Sequence, residues 1–150
     1  MLSHSRSGSV LARFERWLDF VFWAGMELSV LANPTLLLLL GARPPEAVAL
    51  SALTTLVVGS AAIGTYRGGY VGSADWPRPG DLGTMAGRSA YYSVVVGAAT
   101  YAGVEANVLT GIVWAGIAVP AVFAVLVLAP LPRVLDDLRD VSRRDVEAWL

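Results

Sequence analysis

Two side chains of opposite charge lie inside long apolar stretches of this sequence and are its strongest candidates for chemistry. Glu27 lies nine residues after Leu18, inside the stretch 18–41, and Arg88 lies near the start of the stretch 84–104. An ionisable group inside a membrane helix costs at least about 2.5 kcal/mol on insertion scales, so it is usually paired or functional. Asn33, which precedes Pro34 in the first stretch, is a third polar candidate.

Three interpretations of Glu27 stay open. At about 1.5 Å per residue, Glu27 lies about 13 Å along its helix from Leu18. Arg88 lies at a comparable depth, seven residues beyond Asp81 on a helix that runs in the same direction. A structural pair between Glu27 and Arg88 would fix which helices adjoin and add little net stability. Alternatively, Glu27 is protonated or reaches the interface, or it forms a proton or cation site for transport.

Prolines interrupt two of the apolar stretches. Pro34 removes one helical hydrogen bond and disfavours helical geometry at the residue before it, which predicts a kink at Ala32 and Asn33. Asn33 would then bond the freed carbonyl or a neighbouring helix, although a simple bend without function is the common outcome. Pro120 predicts a second kink in the last apolar stretch.

The residue types needed for most catalytic and metal chemistry are missing. The chain has no cysteine, no lysine and one histidine, His4, which lies close to the N-terminus. Thiol catalysis and cysteine-ligated metals are thereby excluded, and few general bases remain. The segment Gly68-Gly-Tyr-Val-Gly lacks the lysine and hydroxyl residue of a phosphate-binding loop. We therefore expect no enzyme, no metal site and no cofactor, and the net charge of −1 gives no electrostatic case for nucleic-acid binding.

Composition and charge-free runs predict an all-α polytopic membrane protein. Hydrophobic residues make up 55% of the chain, and its mean hydropathy is +0.59. No charge occurs in 47–63 or in 107–131, whereas the helices of a soluble bundle would alternate apolar and polar faces. Because about 20 apolar residues cross a bilayer, we predict four transmembrane helices at about 18–41, 47–66, 84–104 and 108–129.

The arginines fall almost entirely on one side of that arrangement. Four crossings place both chain ends and the middle connection on the same side of the membrane. Ten of the eleven basic residues fall there, namely Arg6, Arg13, Arg16, Arg67, Arg78, Arg88, Arg133, Arg139, Arg143 and Arg144. Only Arg43 falls on the other side; if Arg88 lies within its helix, the tally becomes nine against one. This asymmetry predicts a multi-pass cell-membrane protein with cytoplasmic N- and C-termini.

The chain is predicted to consist of three successive segments. Residues 1–17 are predicted to form a cytoplasmic leader, mobile over 1–9, and the start of an interfacial helix. Residues 18–130 form the transmembrane bundle, with Asp81 as an N-cap and a tight turn at 105–107. Residues 131–150 form a cytoplasmic helix that is strongly amphipathic, with one stripe of apolar residues, Leu131, Val134, Leu135, Leu138, Val146 and Trp149.

Small residues recur at spacings that allow close helix packing. Three lie four residues apart on the second helix, and two further pairs occupy the third and fourth helices: Ser60, Gly64 and Gly68; Ala99 and Gly103; Gly111 and Ala115. Such spacings let helix backbones approach closely in a membrane. A chain rich in glycine and alanine also produces such pairs by chance.

The function predicted from these features is that of an interaction or accessory subunit. Its partners would be the lipid bilayer and a second copy of the chain or another membrane protein, contacted through the small-residue faces and the C-terminal helix. The alternative is a small proton or cation transporter or channel that uses Glu27. The absence of lysine and glutamine, with abundant alanine, valine, glycine and arginine, indicates a high-GC prokaryotic genome.

Overall fold

The computed structural model describes residues 4–72 and 75–149, and over these residues the protein is all-helical. Most of the described residues lie in helices and none lies in a strand, so the predicted all-α class is confirmed. A short 3-10 turn, Leu82–Thr84, precedes the fourth of six α-helices. These are α1 His4–Leu31, α2 Asn33–Leu39, α3 Pro45–Arg67, α4 Met85–Thr110, α5 Ala115–Leu128 and α6 Leu131–Trp149.

Several helix ends differ from the prediction. The segment expected to be a mobile leader is helical from His4 onwards; extending an existing helix is far easier than starting one, and no proline stands in the way. The predicted turn at 105–107 instead lies inside α4. That helix ends at Gly111, which has φ +67°, a backbone conformation that glycine adopts without the penalty of a Cβ.

The first predicted span is broken where the sequence predicted a kink. The axes of α1 and α2 differ by 65° across Ala32. The freed end of α1 is satisfied by α4, because Ser89 Oγ donates to the Leu31 carbonyl oxygen at 2.8 Å. Ser93 Oγ lies 3.5 Å from the same oxygen. Asn33 is exposed. The carbonyl that the serines bond is that of Leu31, one residue after the Val30 carbonyl that Pro34 deprives of its helical donor.

A second proline is accommodated without a break. Pro120 lies inside α5, which is continuous from Ala115 to Leu128. Because Pro120 has no N–H, the carbonyl four residues earlier, at Gly116, loses its usual helical donor. Ser51 of α3 replaces that donor, with Oγ 3.0 Å from the Gly116 oxygen. A buried hydroxyl thus connects α3 to α5 where the proline would otherwise leave an unpaired acceptor.

Helix α3 lies at the centre of the bundle, in contact with α1, α4 and α5. It packs closely on α1, where a Cβ added to Gly64 would lie 2.7 Å from the Val21 backbone nitrogen. On α4, a Cβ added to Gly103 would lie 2.9 Å from the Pro120 ring. The absence of side chains at these two positions therefore allows α3 to pack closely on α1 and α4 to pack closely on α5.

Apolar side chains cover the outside of the bundle as well as its core. Residues more than half exposed include Leu53 and Val57 of α3, Val94 of α4, and Val122 and Leu126 of α5. A helix on the surface of a soluble protein normally turns polar residues outward. The described helices α3, α4 and α5 do not follow that pattern.

One described helix, Pro45–Arg67, is long and apolar enough to cross a membrane by itself. Two bent pairs, Gly8–Leu31 with Asn33–Leu39 and Ala115–Leu128 with Leu131–Val141, raise the number to three if each pair is one span. Helix α4 does not qualify, because its tyrosines, serines, Arg88 and Glu105 lower its apolarity. Length and apolarity alone therefore support fewer than the four predicted spans.

Helix α6 leaves the bundle after a bend of 46° from α5. Leu131 and Leu135, at the start of its apolar stripe, are buried, while Leu138 and Val141 further along are exposed. Over the part of α6 up to Val141, burial is therefore concentrated in the first turns.

The close approach of α1 and α3 predicts a specific effect of substituting Gly64. Gly64→Ala should destabilise the protein by about 1–3 kcal/mol, since the new methyl group would force the helices apart. Thermal unfolding in a mild detergent measures this change. Gly8→Ala is the matched control: its Cβ meets nothing within 4 Å, so it should be neutral or stabilise α1 by up to about 1 kcal/mol. Equal effects of the two substitutions would contradict the close-packing interpretation.

Candidate functional site

The structure brings Glu27 into contact with two arginines and a tyrosine from two other helices. Arg88 Nη1 lies 2.5 Å from Glu27 Oε1. Arg67 Nη2 lies 3.1 Å from both carboxylate oxygens. The Tyr92 hydroxyl donates to Oε1 at 3.1 Å. These four side chains, from α1, α3 and α4, are called the ion cluster below.

Each member reaches the cluster from a definite position in the fold. Arg67 is the last residue of α3, and Arg88 lies in the first turn of α4. Tyr92 follows Arg88 by four residues and therefore shares its helix face. The bulk of these side chains is withdrawn from the surface, with 9% of the Glu27 side chain, 5% of the Arg67 side chain and 1% of the Arg88 side chain exposed.

Arg88 also holds the connection that precedes its own helix. Its Nη2 donates to the Asp81 carbonyl oxygen at 2.8 Å, and its Nη1 lies 3.5 Å from the Arg78 carbonyl oxygen. One guanidinium thus joins α1, the start of α4 and the loop between α3 and α4. Arg88 therefore both pairs with Glu27 and holds that loop in place through hydrogen bonds to its carbonyl groups.

Asp81 caps the turn that leads into α4, as predicted from the sequence. Its Oδ1 accepts the Gly83 amide hydrogen at 3.0 Å, and its Oδ2 accepts the Thr84 hydroxyl at 2.9 Å. The hydrogen bonds from Thr84 and Gly83 hold the pKa of Asp81 below its ordinary value. The ionised carboxylate also faces Arg139 of α6 at 3.5 Å, a solvent-exposed contact that contributes little by itself.

The ion cluster carries more positive than negative charge. One carboxylate faces two guanidiniums, since arginine stays protonated in proteins, and the neutral tyrosine adds a donor. Three buried guanidinium nitrogens, Arg67 Nε, Arg67 Nη1 and Arg88 Nε, have no acceptor among the described residues. A buried donor without an acceptor is costly. The cluster therefore has the character of an anion site that is only partly neutralised by Glu27.

Glu27 itself is poorly placed to act as a free base or to bind a cation. Both of its oxygens already accept hydrogen bonds from guanidinium groups, and the two positive charges would repel an incoming cation. Among the described residues, no group of three or more histidine, cysteine, aspartate or glutamate side chains lies close enough to hold a metal ion.

The small residues predicted to pack helices occupy different kinds of position. Gly64 packs α3 against α1, and Ser60 of the same helix would lie 3.1 Å from a Cβ added to Gly25. Ala99 and Gly103 are buried on α4. The remaining three lie at helix ends or in a loop: a Cβ added to Gly68 would meet Tyr70 of the following loop, Gly111 follows the last residue of α4, and Ala115 is half-buried at the start of α5.

The sequence predicts Arg88 as a partner of Glu27 but indicates neither Arg67 nor Tyr92. Arg67 precedes two glycines and is therefore predicted to lie in the loop, whereas α3 continues through it. The spacing of Tyr92 from Arg88 was a usable signal, because residues four apart lie on one face of a helix. No local signal indicated that the end of α3 meets the middle of α1.

A comparison with protein-family models finds one family that matches most of this chain. The model of the family described as Domain of unknown function (DUF8215) matches residues 11–138. The chain belongs to this family. The match includes every member of the ion cluster and ends within α6. No curated protein and no solved structure matches the chain.

Unequal roles of the two arginines lead to a testable prediction. Arg88→Met should destabilise the protein by about 3–5 kcal/mol, because it removes a buried partner of Glu27 and also releases the Asp81 carbonyl. Arg67→Met should have a smaller effect, since Glu27 and Arg88 then balance each other. Unfolding in mild detergent measures both, with exposed Arg16→Met as a control expected within about 0.5 kcal/mol of the parent.

Glu27→Gln tests the excess positive charge directly. It leaves two buried guanidiniums without a counter-charge, so adding Arg67→Met to it should restore part of the lost stability. Such coupling between contacting residues is about 0.5–3 kcal/mol in double-mutant cycles. Independent, additive effects of the two substitutions would contradict the cluster as a single electrostatic unit.

Proposed function

We propose that this chain is a four-span membrane protein that acts as an interaction or accessory subunit in the cell membrane, with both ends cytoplasmic. The observation that carries the membrane part is the apolar exterior of α3, α4 and α5. Side chains such as Leu53, Val94 and Leu126 are exposed around the bundle. Hydrocarbon, unlike water, is a suitable solvent for such a surface.

The low apolarity of α4 has a local explanation within this proposal. Arg88 and Tyr92 of α4 are turned inward to Glu27, and the buried Thr100 and Gly103 belong to its inner face. Its outward residues include exposed Val94. A helix that carries the polar site of a bundle can thus border lipid while its mean hydropathy stays low, because polar residues in membrane proteins usually face the bundle interior.

The distribution of charge supports the proposed orientation. Arg67, Arg78 and Arg88 lie at or near the α3–α4 connection, and Arg139 of α6 reaches Asp81 in that connection. Arg43 lies in the α2–α3 connection, at the opposite end of α3. An excess of arginine at one end is typical of the cytoplasmic side.

The exposed part of α6 supports an interaction role. Leu138 and Val141 continue the stripe of the buried Leu131 and Leu135 but remain uncovered. An unpartnered apolar stripe on an otherwise charged helix is typical of a contact surface. The alternative of cation transport has less support, because the two arginines beside Glu27 oppose cation binding.

Cysteine labelling tests the number of spans. The chain has no cysteine, so single-cysteine variants carry no background. Arg43→Cys and Thr110→Cys, both at exposed turns, should react with a membrane-impermeant maleimide on intact cells. Asp75→Cys, in the α3–α4 connection, should react only after permeabilisation.

Two outcomes would overturn this part of the proposal. Release of the protein from membranes by alkaline carbonate would contradict integration into the bilayer. Labelling of Thr110→Cys and Asp75→Cys from the same side would show that α4 does not cross.

Substitutions on α6 test the interaction role. Leu138→Asp with Val141→Asp should reduce chemical cross-linking of the protein into a defined homo-oligomer in native membranes, because charges replace the exposed apolar stripe. Asp137→Asn with Asp140→Asn, at exposed polar positions of the same helix, is the matched control and should leave the cross-linked fraction unchanged. A monomer in native membranes, with α6 deleted at no cost to stability, would contradict the interaction role.

A further inference from the structure

A cavity of about 340 Å³ lies between α1 and α4, directly beside the ion cluster. Its wall is apolar and is formed by Trp23, Met26, Val30 and Leu31 of α1 with Met85 of α4. Glu27 and Arg88 lie on the same cavity, so one part of its lining is charged. A mostly apolar lining with a few convergent polar groups is typical of small-molecule sites of about 300–1,000 Å³.

The charged part of this cavity favours an anion. Arg88 is almost completely buried there, and its Nε has no acceptor among the described residues. Arg67 adds a second positive charge through its contact with Glu27. A single carboxylate does not neutralise both groups, and guanidinium N–H groups bind carboxylate and phosphate oxygens well.

The apolar part opens to the outside of the bundle. Trp23, Met26 and Val30 are each more than half exposed, so the cavity is accessible from the surface between α1 and α4. Pro79 and Gly80 of the α3–α4 connection border it at the other side. An amphiphile could thus place its chain along the open wall and its head beside the loop.

We propose that this cavity binds an anionic amphiphile, with a phosphate or carboxylate head at Arg88 and an alkyl chain along the α1 wall. The head would accept a hydrogen bond from Arg88 Nε, which has no acceptor among the described residues and belongs to the one arginine that lines the cavity. The inference depends on the proposed membrane location only for the source of the ligand, a bilayer lipid. The pocket and its charge are present in the chain by itself.

Three probes separate the contribution of the anionic head from that of the alkyl chain of the ligand. Hexadecyl phosphate carries both, hexadecanol carries the chain alone, and inorganic phosphate carries the anion alone. Binding to the full chain, purified in an uncharged detergent, is measured by native mass spectrometry and by competition. Hexadecyl phosphate should bind at least about ten-fold more tightly than hexadecanol, the factor expected from one charge-assisted hydrogen bond. Inorganic phosphate should not displace it at equal concentration.

Two substitutions in the cluster should change affinity in opposite directions. Arg67→Gln removes one positive charge and should weaken hexadecyl phosphate binding several-fold. Glu27→Gln removes the competing carboxylate and should strengthen it. A merely structural role of the cluster predicts no such opposition, because both substitutions would then disturb the site in the same sense.

A wall substitution keeps the test independent of cluster stability. Val30→Trp should fill the cavity and abolish binding, whereas Val94→Trp, at an exposed apolar position outside the cavity lining, should leave it unchanged. Three results would each overturn the proposal. They are hexadecanol binding as tightly as hexadecyl phosphate, displacement of hexadecyl phosphate by inorganic phosphate, and unchanged binding of hexadecyl phosphate to the Val30→Trp variant. Carbonate release from membranes would contradict the proposed location and leave these binding measurements valid, so the two failures are distinguishable.

Discussion

The need to neutralise Glu27 away from water is the constraint on which the arrangement of this protein depends. A buried carboxylate without a partner is strongly destabilising, and removal of one partner from a buried pair typically costs several kcal/mol. The charges that meet this need come from the end of α3 and the start of α4. Because Arg88 also binds carbonyl groups of the preceding loop, one electrostatic requirement fixes three helices and their connection.

Backbone carbonyls that lack their usual helical donor likewise need hydrogen-bond donors from neighbouring helices. Ser89 of α4 bonds the end of α1, and Ser51 of α3 bonds the carbonyl left free by Pro120 of α5. In an apolar surrounding, no water replaces these donors, so a neighbouring helix must supply them. Polar contacts between helices therefore specify which helices adjoin, while Gly64 and Gly103 permit the close approach that these contacts require.

Within the proposed four-span arrangement, a polar interior and an apolar exterior would explain why mean hydropathy does not identify α4 as a span. The helix that supplies Arg88 and Tyr92 to the site necessarily contains more polar residues than α3 or α5. In a bilayer, the cost of a polar residue depends on the side of the helix on which it lies, because only the outward side meets lipid. The excess positive charge that remains beside the cavity gives this interior a chemical preference for anions.

The helical class, the bend before Pro34, the cap at Asp81 and the choice of Glu27 and Arg88 as candidate residues could be predicted from the sequence. These follow from local rules, since proline geometry, capping and the cost of burying charge depend on neighbouring residues or on hydropathy. The folded arrangement was needed to show that Arg67 joins the cluster, that Ser51 and Ser89 bond carbonyls of other helices, and that Gly111 follows the end of a helix. Helix adjacency depends on contacts between segments far apart in the chain, and residue spacing along one helix does not specify them.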